Sequence, residues 1–275
     1  EYQEIYTRTS LLPKIPALGS QDGMPLPIPG QLTSRSDMPL GAGMGSSAAV
    51  VAATIVLYEH LLGRPQSIED RFQKVRFCER LQHGKGSAID ASAVVFGGMN
   101  RVQGDDVRQL TIAPDHSLAR SDGWYWVLHG TPVSKTGECV AKVRARHGNN
   151  AELWEEFTAC TTAFEEVIAA AAAPRDVIRE NQRLLDFIGV TPTPAARFIA
   201  AVEDSGGAAK ISGAGAVAGD NGGAIVVYQP DHDAMASLMA NYPDRRWDRL
   251  QVAQEGARLT PAHPAMAAAQ LWTRR

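Results

Sequence analysis

From Ser46 the chain changes character: SSAAVVAATIVLYEHLLG keeps apolar residues at helical spacing and stops at Gly63, with Pro65 just beyond. That pattern predicts a helix with an ordinary C-terminal stop. Ser67-Ile68-Glu69-Asp70 offers an N-cap with an acid three residues on, which predicts a second helix through about Gln82. HGKGSAIDASAVVFGG then reads as a glycine-containing turn leading into a short apolar helix. Strand-like runs follow at 98–102, 107–112 and 124–129, the last (Trp124-Tyr125-Trp126-Val127-Leu128) set between Gly123 and Gly130. Residues 136–204 are helical almost throughout, with strong segments at 151–173 and 176–188. Strands at 209–212 and 224–228 flank a glycine-rich loop, and a helix at 231–241 and a strand at 247–252 complete the pattern. Residues 1–38, broken by Pro13, Pro16, Pro25, Pro27 and Pro29, predict loop and short strand. Helices and strands alternate without regular βαβ spacing, so the fold class is α+β.

Composition narrows the function classes. Of 275 residues 44% are hydrophobic and 21% charged, enough for one large domain or two modest ones around a real core. A formal charge of -3 carries no basic excess for nucleic acid or an anionic membrane. The most apolar stretch, 167–173, is mostly alanine and too short to span a bilayer. Cys78, Cys139 and Cys160 form no CxxC pair and no metal spacing. So sparse a set fits a reducing cytoplasm, each thiol serving as a small buried residue. The chain begins Glu1-Tyr2-Gln3 with neither Met nor a signal-peptide pattern, and residues upstream of it are expected.

Three segments carry candidate chemistry. In Pro39-Leu40-Gly41-Ala42-Gly43-Met44-Gly45-Ser46-Ser47-Ala48-Ala49, alternate glycines let the backbone turn several N–H groups towards one point. The loop runs into a helix N-terminus, where free donors and the macrodipole favour an anion. The two serines add hydroxyls for phosphate or a divalent cation. Neither GxxxxGK[ST] nor the dinucleotide fingerprint is present, and by itself such a loop can equally be a turn capped by Ser46. In Cys78-Glu79-Arg80-Leu81-Gln82-His83-Gly84-Lys85-Gly86-Ser87-Ala88-Ile89-Asp90, two carboxylates stand eleven residues apart across a turn. One can serve a cation and the other a hydroxyl proton, which suffices for phosphoryl transfer to an alcohol. Separately, Glu79 reads as a solvated helix acid and Asp90 as a helix N-cap. In Lys210-Ile211-Ser212-Gly213-Ala214-Gly215-Ala216-Val217, a loop between strands can approach a ligand closely. Thr136, after His129-Gly130-Thr131-Pro132-Val133-Ser134-Lys135, reads as a helix cap.

The first segment resembles the central phosphate-binding motif of the galacto-, homoserine, mevalonate and phosphomevalonate (GHMP) kinase superfamily, with Met44 in place of the usual Leu. E-x-x-x-H-G-x-x-S-x-[IVL]-D, followed by Gly97-Gly98, is similar to the corresponding segment of the superfamily's mevalonate-phosphorylating members. Lys85-Gly86 departs from their usual Asn-Pro, and Ala88 from Gly. The third loop resembles the C-terminal motif at its start, while Ala216 and Val217 replace glycines. The likeness covers roughly residues 35–228, and the N-terminal P-x-[KR]-[IVL]-x-[LF]-x-G-E-H motif is not found in the chain.

The resemblance implies a two-lobed α+β fold with the active site in the cleft between an N-terminal lobe (1–118) and a C-terminal lobe (119–275). It implies ATP and Mg2+ as cofactors. Pro39, Gly41, Ala42, Gly43, Met44, Gly45, Ser46, Ser47, Ser212, Gly213, Ala214 and Gly215 would bind the nucleotide. Ser47 and Glu79 would hold magnesium, and Asp90 would be the catalytic aspartate. His83, Gly84, Ser87, Asp90, Thr136 and Gly213 would meet the acceptor. The implied activity is phosphorylation of a small hydroxy acid, with mevalonate, an isoprenoid precursor, as acceptor. The alternatives are a phosphomevalonate or sugar kinase, or a nucleotide-binding protein without catalysis. The partner is then a small molecule, in the cytoplasm, with neither nucleic acid nor membrane involved and a homodimer left open.

Overall fold

The structure, a computed structural model, describes residues 3–5, 34–36, 38, 41–83 and 88–260. They form two compact units. One takes in residues 3–5, the described part of Thr33–Ser46, and Arg108–Ala253; the other takes in Ser47–Val107 and the described residues from Gln254 onwards.

The first unit is built on an antiparallel sheet. Strands β1 (Gln3–Ile5) and β2 (Ser34–Ser36) pair with each other. The main sheet has the order β6-β7-β5-β8, from β5 (Trp124–His129), β6 (Ala208–Ile211), β7 (Gly223–Tyr228) and β8 (Arg246–Arg249). Alternation divides its faces. Tyr125, Val127, Ala209, Ile211, Ile225 and Val227 point to one side and form a core with α7 (Thr193–Asp204) and α8 (His232–Met239). On the other side Trp124 meets Phe164 edge-on from α5 (Ala151–Ala169). The exposed edge, β8, reads Arg-Trp-Asp-Arg, charged enough to discourage further pairing. At the opposite edge the buried Gln182 of α6 (Arg175–Phe187) accepts a hydrogen bond from the Ile211 N–H at 2.9 Å. α4 (Thr136–His147) precedes α5.

The second unit is a helical cluster: α1 (Ser46–Leu61), α2 (Ile68–His83) and α3 (Ala88–Phe96), followed by strand β3 (Met99–Gln103), which pairs with β4 (Asp106–Leu110). Its core joins Ala48, Ala52, Ile55 and Tyr58 of α1 to Phe72 and Val75 of α2 and to Ala88, Ala91 and Val95 of α3. The predicted stop of α1 is a Schellman turn, with Gly63 at φ +60° and the Arg64 N–H donating to the Glu59 carbonyl at 2.9 Å. The predicted start of α2 is also present, the Asp70 N–H donating to Ser67 Oγ at 3.0 Å. Glu59 is buried and carries a charge. It is neutralised by the Arg71 guanidinium, which donates through two nitrogens at 3.1 and 2.7 Å. Gly97 holds φ +67° where the backbone of Glu255 crosses; a Cβ there would lie 2.4 Å from the Glu255 carbonyl carbon.

Two buried histidines make this fold acid-sensitive. Burial pushes both His129 and His116 below the ordinary 6.5, with Arg245 adding to the effect at His129 and Arg120 opposing Asp115 at His116. Each Nδ1 accepts a backbone N–H, from Gly222 at 3.4 Å and Leu118 at 3.0 Å respectively, and so has no room for a second proton. A depressed folded pKa means that the unfolded chain binds more protons as the pH falls below 6.5. The two residues' contribution to stability is therefore complete above that value and lost below it. Urea melts on either side of pH 6.5 should show lower stability on the acid side, beginning at that pH; a flat profile would show that neither group is linked to folding.

Candidate active site

The glycine loop at 41–45 has Gly41 at φ +71°, Gly43 at +76° and Gly45 at +71°. Left-handed backbone at every second residue costs a residue with a Cβ about 1–2 kcal/mol, and it turns successive N–H groups to one side. The loop then runs directly into α1, of which Ser46 is the first residue. A concave set of N–H groups continuing into a helix N-terminus is a place for an anion of phosphate type.

The third predicted segment lies against this loop within the same unit. A Cβ on Gly213 would come 3.1 Å from the Gly43 carbonyl oxygen, and one on Gly43 would come 3.4 Å from Gly213 Cα. One residue of β7 ties both loops: the Ala224 N–H donates to the Ala42 carbonyl at 3.1 Å, and the Ala224 carbonyl accepts from the Ser212 N–H at 2.9 Å. Two glycine loops about 170 positions apart in sequence thus hang from the backbone of one residue. Gly215 is closed in by the Val190 carbonyl oxygen, 2.1 Å from where a Cβ would stand. Lys210, two residues before Ser212, faces away from the Ala209 and Ile211 core and is pushed down to about 8 by burial.

In the second unit the Ser47 hydroxyl donates to Glu79 Oε1 at 2.5 Å, joining α1 to the last turns of α2. Glu79 is buried rather than a solvated surface acid, so that expectation for the isolated residue is corrected. Its neighbours on α2, Val75 and Cys78, are buried as well. Asp90 is the third residue of α3, not its N-cap, and is exposed between the buried Ala88 and Ala91. Ala48, which follows Ser47, and Ala88 and Ala91, which flank Asp90, share one core. Among the described residues no group of three or more His, Cys, Asp or Glu side chains could hold a metal ion. Among the described residues, Ser47 and Glu79 are the paired oxygen donors that a cation here would meet. Two oxygen donors, one of them a carboxylate, suit a hard divalent ion that keeps its remaining positions for water and phosphate.

Thr136 is the first helical residue of α4 and is exposed; the cap is Lys135, whose N–H donates to Glu138 Oε2 at 3.2 Å. Pro39, Gly84 and Ser87 lie outside the described residues, as does the side chain of His83. Residues that the motifs did not mark also shape the site. Thr131 Cγ2 lies 3.5 Å from the Cβ position of Gly41, and Ala224 bonds both loops. The flanking Gly130 and Gly223, both at φ +79°, were the available signal for a tight approach there. The three cysteines are free and buried, and burial raises each thiol above its ordinary range, which suits structural residues.

Residues 17–98 match the family described as the GHMP kinases N terminal domain. With the mixed helix and strand fold and the paired glycine loops, that match makes the chain similar to GHMP kinases. Among them it is similar to mevalonate kinases. It is 32% identical over 192 residues to the mevalonate kinase of Archaeoglobus fulgidus, covering 68% of this chain and 63% of that one. It is 25% identical over 236 residues to that of Thermococcus sibiricus, covering 82% and 67% respectively. Against the first of these relatives the chain therefore spans less than two thirds of the length. In fold it is similar to the crystal structure of the Methanococcus jannaschii mevalonate kinase, with a TM-score of 0.62 at 19% identity over 80% of this chain and 68% of that one. The L. major mevalonate kinase in complex with R-mevalonate gives a TM-score of 0.63 at 18% identity over 77% and 64%. No helix among the described residues is long and apolar enough to cross a membrane.

Proposed function

We propose that the protein transfers the γ-phosphoryl group of ATP to the hydroxyl of a small hydroxy acid, with mevalonate as the acceptor and phosphomevalonate as the product, in the cytoplasm. The observation that carries this reading is the Ser47–Glu79 contact. It sets a buried carboxylate 2.5 Å from a hydroxyl in the first turn of the helix that the glycine loop opens. A carboxylate so placed repels a phosphate unless a cation stands between them, which is the arrangement that phosphoryl transfer requires.

In this reading the N–H groups of 41–47 hold the triphosphate, and Ser212, Gly213, Ala214 and Gly215 close over it. Ser47 and Glu79 hold a magnesium ion, which supplies positive charge to the phosphate oxygens when bound. Asp90 accepts the proton of the acceptor hydroxyl, so that the oxygen attacks as its proton leaves. His83, Gly84, Ser87 and Thr136 contact the acceptor. Much of the rate then comes from holding the two reactants in line and from preset dipoles. The mevalonate kinase relatives support mevalonate over other acceptors, and the eleven-residue spacing of Glu79 and Asp90 agrees with them.

A coupled assay of ADP release, titrated with magnesium over a panel of hydroxy acids and sugars, tests the reading. Mevalonate should be turned over fastest. Glu79→Gln should need several-fold more magnesium and reach a lower maximum, because a neutral amide is a poor ligand for a hard cation. An unchanged magnesium curve would take Glu79 out of the metal site. Preference for a sugar would overturn the acceptor.

A further inference from the structure

The third glycine loop departs from the GHMP motif's run of glycines at Ala216 and Val217, and there the chain is strapped down rather than free. Ser134 is buried, and its Oγ accepts the Val217 N–H at 3.2 Å while donating to the Ala218 carbonyl at 3.4 Å. The Lys142 ammonium donates to the Val217 carbonyl at 3.4 Å, and Cys139 Sγ to the Gly215 carbonyl at 3.7 Å. On the other side the Ala216 N–H donates to the Val190 carbonyl at 2.9 Å. Every residue from Gly215 to Ala218 is thereby held by a partner from outside the loop. Of these partners only Ser134 bonds the backbone of two consecutive residues, Val217 and Ala218, with one hydroxyl.

We propose that Ser134 is a positioning residue, setting the height of the 213–216 turn against the 41–45 loop and so the shape of the phosphate cradle. The inference rests on the kinase reading above. Its physical basis is the short lever between the strap and the cradle. Gly213 touches Gly43, Ser212 is fixed to Ala224, and Gly215 is pressed against Val190. The turn's remaining end, at 217–218, is held by Ser134, with Lys142 on the Val217 carbonyl. Ser134 also lies two residues before Thr136, so one short segment sets the loop and presents the start of α4. In a run of glycines such a turn would be ordered only by the ligand. Here the ordering is done beforehand, and binding does not bear that entropy.

The test compares wild type, Ser134→Ala and Ser134→Thr by calorimetric titration with a non-hydrolysable ATP analogue and magnesium, by kcat and KM for both substrates, and by thermal melting. Wild type is read first: if it does not bind the analogue, the kinase reading fails and this inference with it. If wild type binds, Ser134→Ala should weaken the analogue by about five- to tenfold, the loss expected for a paired buried hydroxyl. KM for ATP should rise by a similar factor and KM for the acceptor should change far less. Ser134→Thr, which keeps the hydroxyl, should recover most of the affinity. Unchanged analogue affinity in Ser134→Ala would overturn the proposal. So would a loss that follows the melting temperature down and is not recovered by Ser134→Thr, since that pattern belongs to a residue that only stabilises α4.

Discussion

Asp90→Asn should lower turnover by about 10²–10⁴-fold, the span usual for a removed general base, while leaving affinity for an ATP analogue within about twofold. The expectation of a selective effect comes from where the residue stands. Asp90 is exposed in the first turn of α3, and it is the flanking Ala88 and Ala91 that enter the core. Asn has almost the same shape, so packing is kept. The loss of a charge near a helix N-terminus costs about 0.3–1 kcal/mol of stability, too little to unfold the protein. The 41–45 loop has hydrogen bonds and close contacts of its own to Ala224, Gly213 and Thr131. A steady-state assay together with calorimetric titration of the analogue separates the two effects. Turnover within a few-fold of wild type would make Asp90 a structural first-turn acid.

Gly43→Val should abolish measurable nucleotide binding in a protein that still folds. Gly43 has φ +76°, where a β-branched residue is strained by about 1–3 kcal/mol. Its Cβ would already lie 3.4 Å from Gly213 Cα, which leaves the two γ-methyl groups to push the 212–215 loop aside. Strain and displacement both fall on the cradle, so affinity should drop by more than about tenfold, the equivalent of roughly 1.4 kcal/mol. Neither of the large cores includes residue 43, and a cooperative melt with an unaltered far-ultraviolet spectrum should remain. Normal analogue affinity in the folded variant would reduce the loop to a turn.

The helices and strands were largely legible because each buries one face. The 3.6-residue repeat in 46–61, the cap at Ser67 and the Trp124–His129 run between glycines all correspond to elements within a residue or two. The glycine loops were legible as loops, but their contact was not. Gly43 and Gly213 are brought together by the β6–β7 register, which pairs Ile211 with Ile225 and so sets Ser212 opposite Ala224. No local pattern encodes that pairing. Small residues hid other parts of the site. Ala224 acts entirely through its backbone, and Ser134 reads as an ordinary loop serine until Val217 and Ala218 are seen beside it. Isolated side chains misled at three places: Glu79, Thr136 and Asp90, which lies inside the first turn of α3 and not at its cap. Glu79 looked like a surface acid because a carboxylate on a helix is usually solvated, yet one turn earlier Val75 enters the core and Glu79 is buried on the same side. Thr136 looked like a cap because hydroxyls usually are, but the Glu138 carboxylate already satisfies the N–H of Lys135.

The proposed reaction moves a phosphoryl group from ATP to the mevalonate hydroxyl, and its product distinguishes it from every alternative. Phosphorus NMR of a reaction holding ATP, magnesium, mevalonate and the enzyme should show the γ-phosphate signal replaced, one for one with new ADP, by a phosphomonoester signal coupled to methylene protons. Inorganic phosphate appearing in its place, or ATP left intact while mevalonate is present, would contradict it.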